Sequence, residues 1–134
     1  MGIERVGIVG GGQMGAGIAE LCIKAGVDVI VHEINDDLAA AARARVEKSL
    51  GRAIEKGKLD DDGRERALGL LRTGSDLAAM ADRELVVEAV VEDEGIKKDL
   101  FENLDRIVES PTAILASNTS SIPITRIGQA TTRP

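Results

Sequence analysis

Gly10, Gly12 and Gly15 occupy the three fixed places of G-x-G-x-x-G in Gly10-Gly11-Gly12-Gln13-Met14-Gly15, and an acid, Glu33, stands 23 residues after Gly10. Each position has a chemical job. The first glycine permits a tight turn, the second lets backbone approach a diphosphate with no Cβ in the way, and the third lets a helix pack close to a sheet. The unpaired NH groups at the start of that helix, with the positive end of its dipole, hold the anion. Glu33 is placed to accept hydrogen bonds from the hydroxyls of an adenosine ribose, and its charge repels a 2′-phosphate, so NAD is expected over NADP. A glycine motif alone is weak; what strengthens it is the right flanking elements at the right spacing.

Those elements are present. Arg5 to Val9 is a short apolar run that ends in the glycines, and a helical pattern follows with Met14, Ile18, Leu21, Cys22 and Ala25 as its expected inward face. Gly26 stands where a helix end favours positive φ, and Val27 to His32 is a β-branched run leading to Glu33. The first 33 residues therefore read as a βαβ unit. Asn35 to about Leu71 is helical, broken near Gly57 to Gly63, where Asp60 or Asp61 is suited to cap a second helix. Leu71 to Gly74 reads as a strand and a brief helix follows Ser75 or Asp76. Glu84 to Val90, within which the apolar run LVVEAVV (Leu85 to Val91) begins, reads as a strand covered on both faces. Asp93 to Glu109 is helical with Ile96, Leu100, Leu104, Ile107 and Val108 inward. Thr112 to Ala116 is a strand and Ile122 to Gly128 a short helix. The expected fold is α/β, a Rossmann-like doubly wound parallel sheet with a helical hairpin inserted after the second strand.

On the first hairpin helix, Ala39, Ala42, Val46, Leu50 and Ile54 form an apolar stripe, while Arg45, Ser49, Arg52 and Lys56 share another side. The cationic strip suits a phosphorylated substrate such as a nucleotide-bearing thioester. From spacing alone, a solvated helix face explains it equally well. His32 neighbours Glu33 on a strand and so faces the other way; a structural role is expected for it. Cys22 reads as a small core residue.

Composition excludes several classes. With 43% hydrophobic and 30% charged residues in 134, one folded domain spanning residues 1–134 is expected. Lys and Arg number 17 against 23 Asp and Glu, a net charge of −6, and Phe101 is the single aromatic residue, so nucleic acid is not an expected partner. One cysteine and one histidine exclude an internal disulfide and a site built from several Cys or His, and no metal is expected. No apolar run approaches the roughly 20 residues of a membrane span, and the N-terminus lacks the pattern of a signal peptide. A cytoplasmic protein without membrane contact is the expectation.

Together GGGQMGAGIA, the acid in VHEIN, the long hairpin, LVVEAVVE and above all ASNTSSIPI resemble the NAD-binding half of L-3-hydroxyacyl-CoA dehydrogenases, nearest to the 3-hydroxybutyryl-CoA type. The resemblance implies an enzyme that moves hydride between C3 of an acyl-CoA and NAD in fatty-acid or butanoate metabolism. It implies that Gly10, Gly11, Gly12, Gln13, Met14 and Gly15 cradle the pyrophosphate and that Glu33, where the family more often has Asp, holds the adenosine ribose. Glu92 and Lys97 match positions around the nicotinamide ribose, Ser49 and Lys56 match positions that contact CoA, and Ser120 matches a serine that hydrogen-bonds both substrate and nicotinamide. The resemblance places the catalytic histidine, in an HFFNP-type segment, and its orienting glutamate after Pro134, together with a helical dimerisation domain. The 134 residues are accordingly expected to bind NADH with little or no turnover, and to self-associate through surface that such a domain would cover. Two rivals stay open: a CoA-independent Rossmann hydroxy-acid dehydrogenase, and a stand-alone dinucleotide-binding module.

Overall fold

The computed structural model describes residues 2–133. Strands β1 (Arg5–Val9), β2 (Asp28–His32), β3 (Leu71–Gly74), β4 (Leu85–Glu88) and β5 (Ile114–Ser117) form one sheet in the order β3-β2-β1-β4-β5. Every pairing is parallel, so each connection has to cross over a sheet face. Helices α1 (Gln13–Lys24), α2 (Asp36–Glu55), α3 (Asp61–Leu68) and α4 (Glu94–Ile107) and a 3-10 segment, Leu77–Asp82, make these crossings, and α5 (Ile124–Gly128) follows β5.

Both faces are covered. Val6, Ile8, Val29 and Val31 pack with Ala19, Ile23, Val46 and Leu50 of α1 and α2. Val9, Ile30 and Val86 pack on the opposite side with Met80, Leu104 and Val108. The alternation along β2, with Ile30 going one way and Val29 and Val31 the other, is the period-two pattern of a strand. Burying each such side chain contributes about 1.5–3 kcal/mol, which is why the strands read as nearly unbroken apolar runs.

The predicted element order holds, with shifts that have physical causes. The first helix is rotated from the expected face: Gly15, Ala16, Ala19 and Ile23 are buried, Ile18 and Cys22 pack half-buried at the edge of that core, and Met14 is 56% and Leu21 68% exposed. A Cβ on Gly15 would lie 1.8 Å from the Gly10 carbonyl oxygen. The helix hugs the sheet so closely there that only its strip of small residues fits beneath it. In α4, Ile96 is 50% exposed, and the inward position belongs to Lys97, 1% exposed, with Phe101 and Leu104. The brief helix after Asp76 is 3-10, capped by Asp76, which accepts from the Ala78 amide at 3.0 Å. The expected strand Glu84 to Val90 is shorter, Leu85–Glu88, because residues beyond Glu88 leave the sheet to build a loop. Thr112 to Ala116 shifts to Ile114–Ser117, where Ser117 pairs with Glu88. Asp60 caps α3, accepting from the Gly63 amide at 2.6 Å. Gly26 and Gly57, at φ +87° and +72°, end α1 and α2 as left-handed glycines do.

Candidate functional site

In a sheet of this order the strand sequence reverses between β1 and β4, and ligands of doubly wound folds bind outside the carboxyl ends of the strands at that point. The glycine turn follows β1 and the Ala89–Asp93 loop follows β4, and the two touch: a Cβ on Gly10 would meet the Ala89 oxygen at 2.5 Å, and Gly10 sits at φ +106°. Gly10 and Gly15 are thus required by the fold itself. Gly12 is different. Its φ is an ordinary −68° and a Cβ there would meet nothing within 4 Å. Nothing in the chain demands glycine at this position, whereas a ligand lying against the backbone would.

The start of α1 carries the second signal. Asn35, Asp60 and Asp93 each accept a hydrogen bond from the first turn of the helix that follows, at 2.8, 2.6 and 2.9 Å. By contrast, the N-cap of α1 is Gly12, and no side chain caps the helix. An uncapped helix start, its leading NH groups without intrahelical partners, is an anion-binding geometry. The residues present fit a dinucleotide diphosphate.

Glu33 lies beside this turn. Its Oε2 accepts from the Gly11 amide at 2.8 Å, and the Arg45 guanidinium donates to the Gly11 carbonyl at 2.8 Å. None of the described hydrogen bonds uses Oε1, and a carboxylate has room for about four donors. One amide of the turn is therefore committed to Glu33, which fixes the acid in place while leaving it acceptor capacity. His32, half-buried, has an Nδ1 that is buried without a partner among the described residues. Burial pulls its pKa below the ordinary 6.5, against the opposite pull of the Ser75 backbone and of Glu33 and Asp76.

Across the switch point a denser network forms. Lys97 Nζ lies 3.0 Å from Glu88 Oε1 and 2.8 Å from Glu92 Oε1. Burial acts to lower the pKa of Lys97, but the two carboxylates hold it above the usual lysine value. Glu92 accepts from Thr119 Oγ1 (2.9 Å), the Ser120 amide (3.1 Å), the Ser121 amide (3.3 Å) and Ser121 Oγ (2.9 Å). Lys97 first, then these donors, keep its carboxyl far below the carboxylate range. In Ser117-Asn118-Thr119-Ser120-Ser121 the hydroxyls of Ser117, Thr119 and Ser121 are all bonded within the protein. The Ser120 hydroxyl, on an exposed residue, has no partner among the described hydrogen bonds.

The cationic strip lies over a cleft of about 480 Å³ between α1 and α2, lined by Gln13, Gly17, Glu20, Arg45, Ser49 and Arg52 among others. Ser49 Oγ donates to Glu20 Oε2 at 2.6 Å. Lys56 is the residue after α2, exposed at the helix end and outside the cleft lining.

Three participants went unnoticed in the sequence. Lys48 joins the cleft lining although it lies off the strip. Glu20 meets Ser49 only because α1 packs on α2. Glu88, wholly buried, is the hub of the second network; the one sign of it was an acid inside the apolar run LVVEAVV. Cys22 is half-buried against the core, and burial pushes its thiol pKa up. Among the described residues no helix is long and apolar enough to cross a membrane.

Comparison with known proteins accounts for this geometry. Residues 5–134 match the family described as 3-hydroxyacyl-CoA dehydrogenase, NAD binding domain. A 3-hydroxybutyryl-CoA dehydrogenase of Mycobacterium tuberculosis is 54% identical over 132 residues, covering 98% of this chain and 46% of that protein. The mouse mitochondrial hydroxyacyl-coenzyme A dehydrogenase is 40% identical over 98% of this chain and 43% of its own. The crystal structure of M. tuberculosis FadB2 superposes with a TM-score of 0.97 at 54% identity, covering all of this chain and 47% of that one. A diketoreductase structure superposes at 0.88 with 33% identity, over 99% of this chain and 47% of its own. The chain spans about half the length of the curated relatives it matches. On the match over residues 5–134 and the 54% identity, this chain belongs to the 3-hydroxyacyl-CoA dehydrogenase family, as its NAD-binding domain.

Proposed function

We propose that this chain is the coenzyme half of a 3-hydroxybutyryl-CoA dehydrogenase, interconverting a 3-hydroxyacyl-CoA and its 3-keto form. The observation that carries the coenzyme role is the uncapped start of α1 facing open space at Gly12, with Glu33 held 2.8 Å from the Gly11 amide. Gly10, Gly11, Gly12, Gln13, Met14 and Gly15 would surround the pyrophosphate, their helix-start amides donating to it. Glu33 would accept from the adenosine ribose. Glu92, Lys97 and Ser120 would flank the nicotinamide end. Lys97, 1% exposed and bonded to two carboxylates, acts there by holding Glu92.

Bound nicotinamide supplies the hydride acceptor for the C3–H bond, or the donor in reverse. The chain's part is to orient and to polarise. The Ser120 hydroxyl, without a partner among the described hydrogen bonds, would donate to the substrate oxygen. Arg45, Ser49 and Arg52, with Lys56 at the helix end, would receive the phosphates of CoA. Removing the hydroxyl proton needs a general base within reach. The single histidine of these 134 residues, His32, ends β2, which β1 separates from β4. The 134-residue polypeptide should therefore bind NADH without turning over acetoacetyl-CoA, and the base for the substrate held here would come from residues outside this stretch.

The likeness to a diketoreductase favours one second reading, a dehydrogenase of free dicarbonyl compounds. The cationic cleft separates the two. Titration of the chain with CoA, followed by calorimetry, should show binding that Arg52→Glu weakens; no binding would favour the CoA-independent reading.

A further inference from the structure

We infer that Glu88 is a positioning residue for the nicotinamide side of the site: buried in β4, it fixes the 117–121 segment and Glu92 through Ser117 and Lys97. The inference rests on the reading that Glu92 and Ser120 flank the nicotinamide end.

Glu88 spends its carboxylate on three different pieces of chain. Oε1 accepts from Ser117 Oγ at 2.5 Å, at the end of β5, and faces Lys97 Nζ of α4 at 3.0 Å; Oε2 accepts from the Val90 amide at 2.8 Å, in the loop after β4. Lys97 carries the connection to Glu92, and Glu92 grips the amides of Ser120 and Ser121. The relay begins at a residue that no ligand can reach and ends at the exposed segment bearing the free Ser120 hydroxyl.

Fold stability alone is a poor reason for this arrangement. Glu88 is 0% and Lys97 1% exposed, and among the described residues this is the one ion pair with both members so deeply buried. Such pairs surrender so much hydration that apolar side chains of similar size often serve stability as well or better. Val86 and Leu104 show that apolar residues suit this side of the sheet. What an apolar pair would not supply is a directed contact to Ser117, Val90 and Glu92 at once. Ser117 Oγ also accepts from the Thr119 amide at 3.1 Å, so the hydroxyl bonded to Glu88 shapes the turn that presents Ser120.

The test compares a ligand that reaches the nicotinamide end with one that does not. Wild-type chain, Glu88→Gln and Ser117→Ala are titrated with NADH by fluorescence and with ADP by calorimetry, and amide exchange at Ser120 and Ser121 is followed by NMR. Glu88→Gln should weaken NADH tenfold or more while ADP affinity stays within twofold, and should speed exchange at Ser120 and Ser121 tenfold or more with Ile8 unchanged. Ser117→Ala should do the same by threefold to fivefold, and it decides the matter if Glu88→Gln does not fold. Parallel loss of both ligands in Ser117→Ala, or an unchanged NADH-to-ADP ratio with unchanged exchange, would overturn the inference. A wild-type chain that binds neither NADH nor ADP would instead overturn the underlying reading of the site, and this proposal with it.

Discussion

Glu33 and Gly11 are joined by a 2.8 Å hydrogen bond from the Gly11 amide to the Glu33 carboxylate, so the acid just after β2 and the turn after β1 form one unit. The bond aligns the acid before any ligand arrives, which reduces the ordering cost of binding. Glu33→Ala removes both the ribose acceptor and the charge that disfavours a 2′-phosphate. NADH affinity should fall about tenfold, the loss of roughly 1.5 kcal/mol expected for a hydrogen bond to a charged group. NADPH affinity should fall less, narrowing the gap. Fluorescence titration with both coenzymes checks this, and an unchanged ratio contradicts the ribose role.

The glycines of the turn should separate by what they protect. Gly10→Ala places a Cβ 2.5 Å from the Ala89 oxygen at φ +106°, and Gly15→Ala places one 1.8 Å from the Gly10 oxygen. Both should destabilise the fold by about 2 kcal/mol or more. Gly12→Ala meets open space at φ −68°, so stability should change by about 0.5 kcal/mol or less while NADH affinity falls at least tenfold. Thermal denaturation and NADH titration of the three variants test the split. A Gly12→Ala chain that binds NADH normally would contradict the placement of the diphosphate.

In the cleft between α1 and α2, Glu20 is an acid among cations and holds Ser49 at 2.6 Å. Glu20→Gln keeps a hydrogen-bonding group there and removes a charge that opposes a polyphosphate. CoA affinity should rise about threefold in Glu20→Gln and fall about tenfold in Arg52→Glu, both effects shrinking as salt is added. Calorimetric titration with CoA measures both, and indifference to either change would count against a CoA site.

The pH dependence of stability follows from groups whose pKa values are lower in the folded chain. Burial lowers that of His32 from 6.5, and the Arg83 hydrogen bond lowers that of Asp82 from 3.8. In each case the unfolded chain binds the proton more readily, so stability is full above the unfolded pKa and declines as pH falls. A first decline should therefore begin as pH drops through about 6.5, and a steeper one below about 4 as Asp82 and the other paired carboxylates protonate. His32→Gln should remove the first step and leave the second. Melting temperatures from pH 8 to 3 measure both, and a first step that persists in the variant would contradict its assignment to His32.

How much was legible in the sequence depended on the range of the interaction. The glycine turn, Glu33, the parallel sheet and the Asp60 cap follow from local spacing, and local spacing is what a sequence displays. The Glu88–Lys97 pair crosses from a strand to a helix, and periodicity placed Ile96 inward where Lys97 belongs. The inward face of α1 was legible only in part: Ile18 and Cys22 do pack on the core, but apolar periodicity favoured Met14 and Leu21 over the small residues Gly15, Ala16 and Ala19 that the close approach at Gly15 draws inward. Glu20 and Ser49 lie on different helices, and their contact exists only once the helices dock.

The central claim, that backbone amides at the start of α1 hold the coenzyme diphosphate, is tested most directly by NMR titration of the 134-residue chain with NADH. The account predicts saturable shifts largest at the amides of Gly12, Gln13 and Met14, reproduced by ADP and reduced in Gly12→Ala. Saturable binding that leaves those three amides unmoved, or no binding at all, would contradict it.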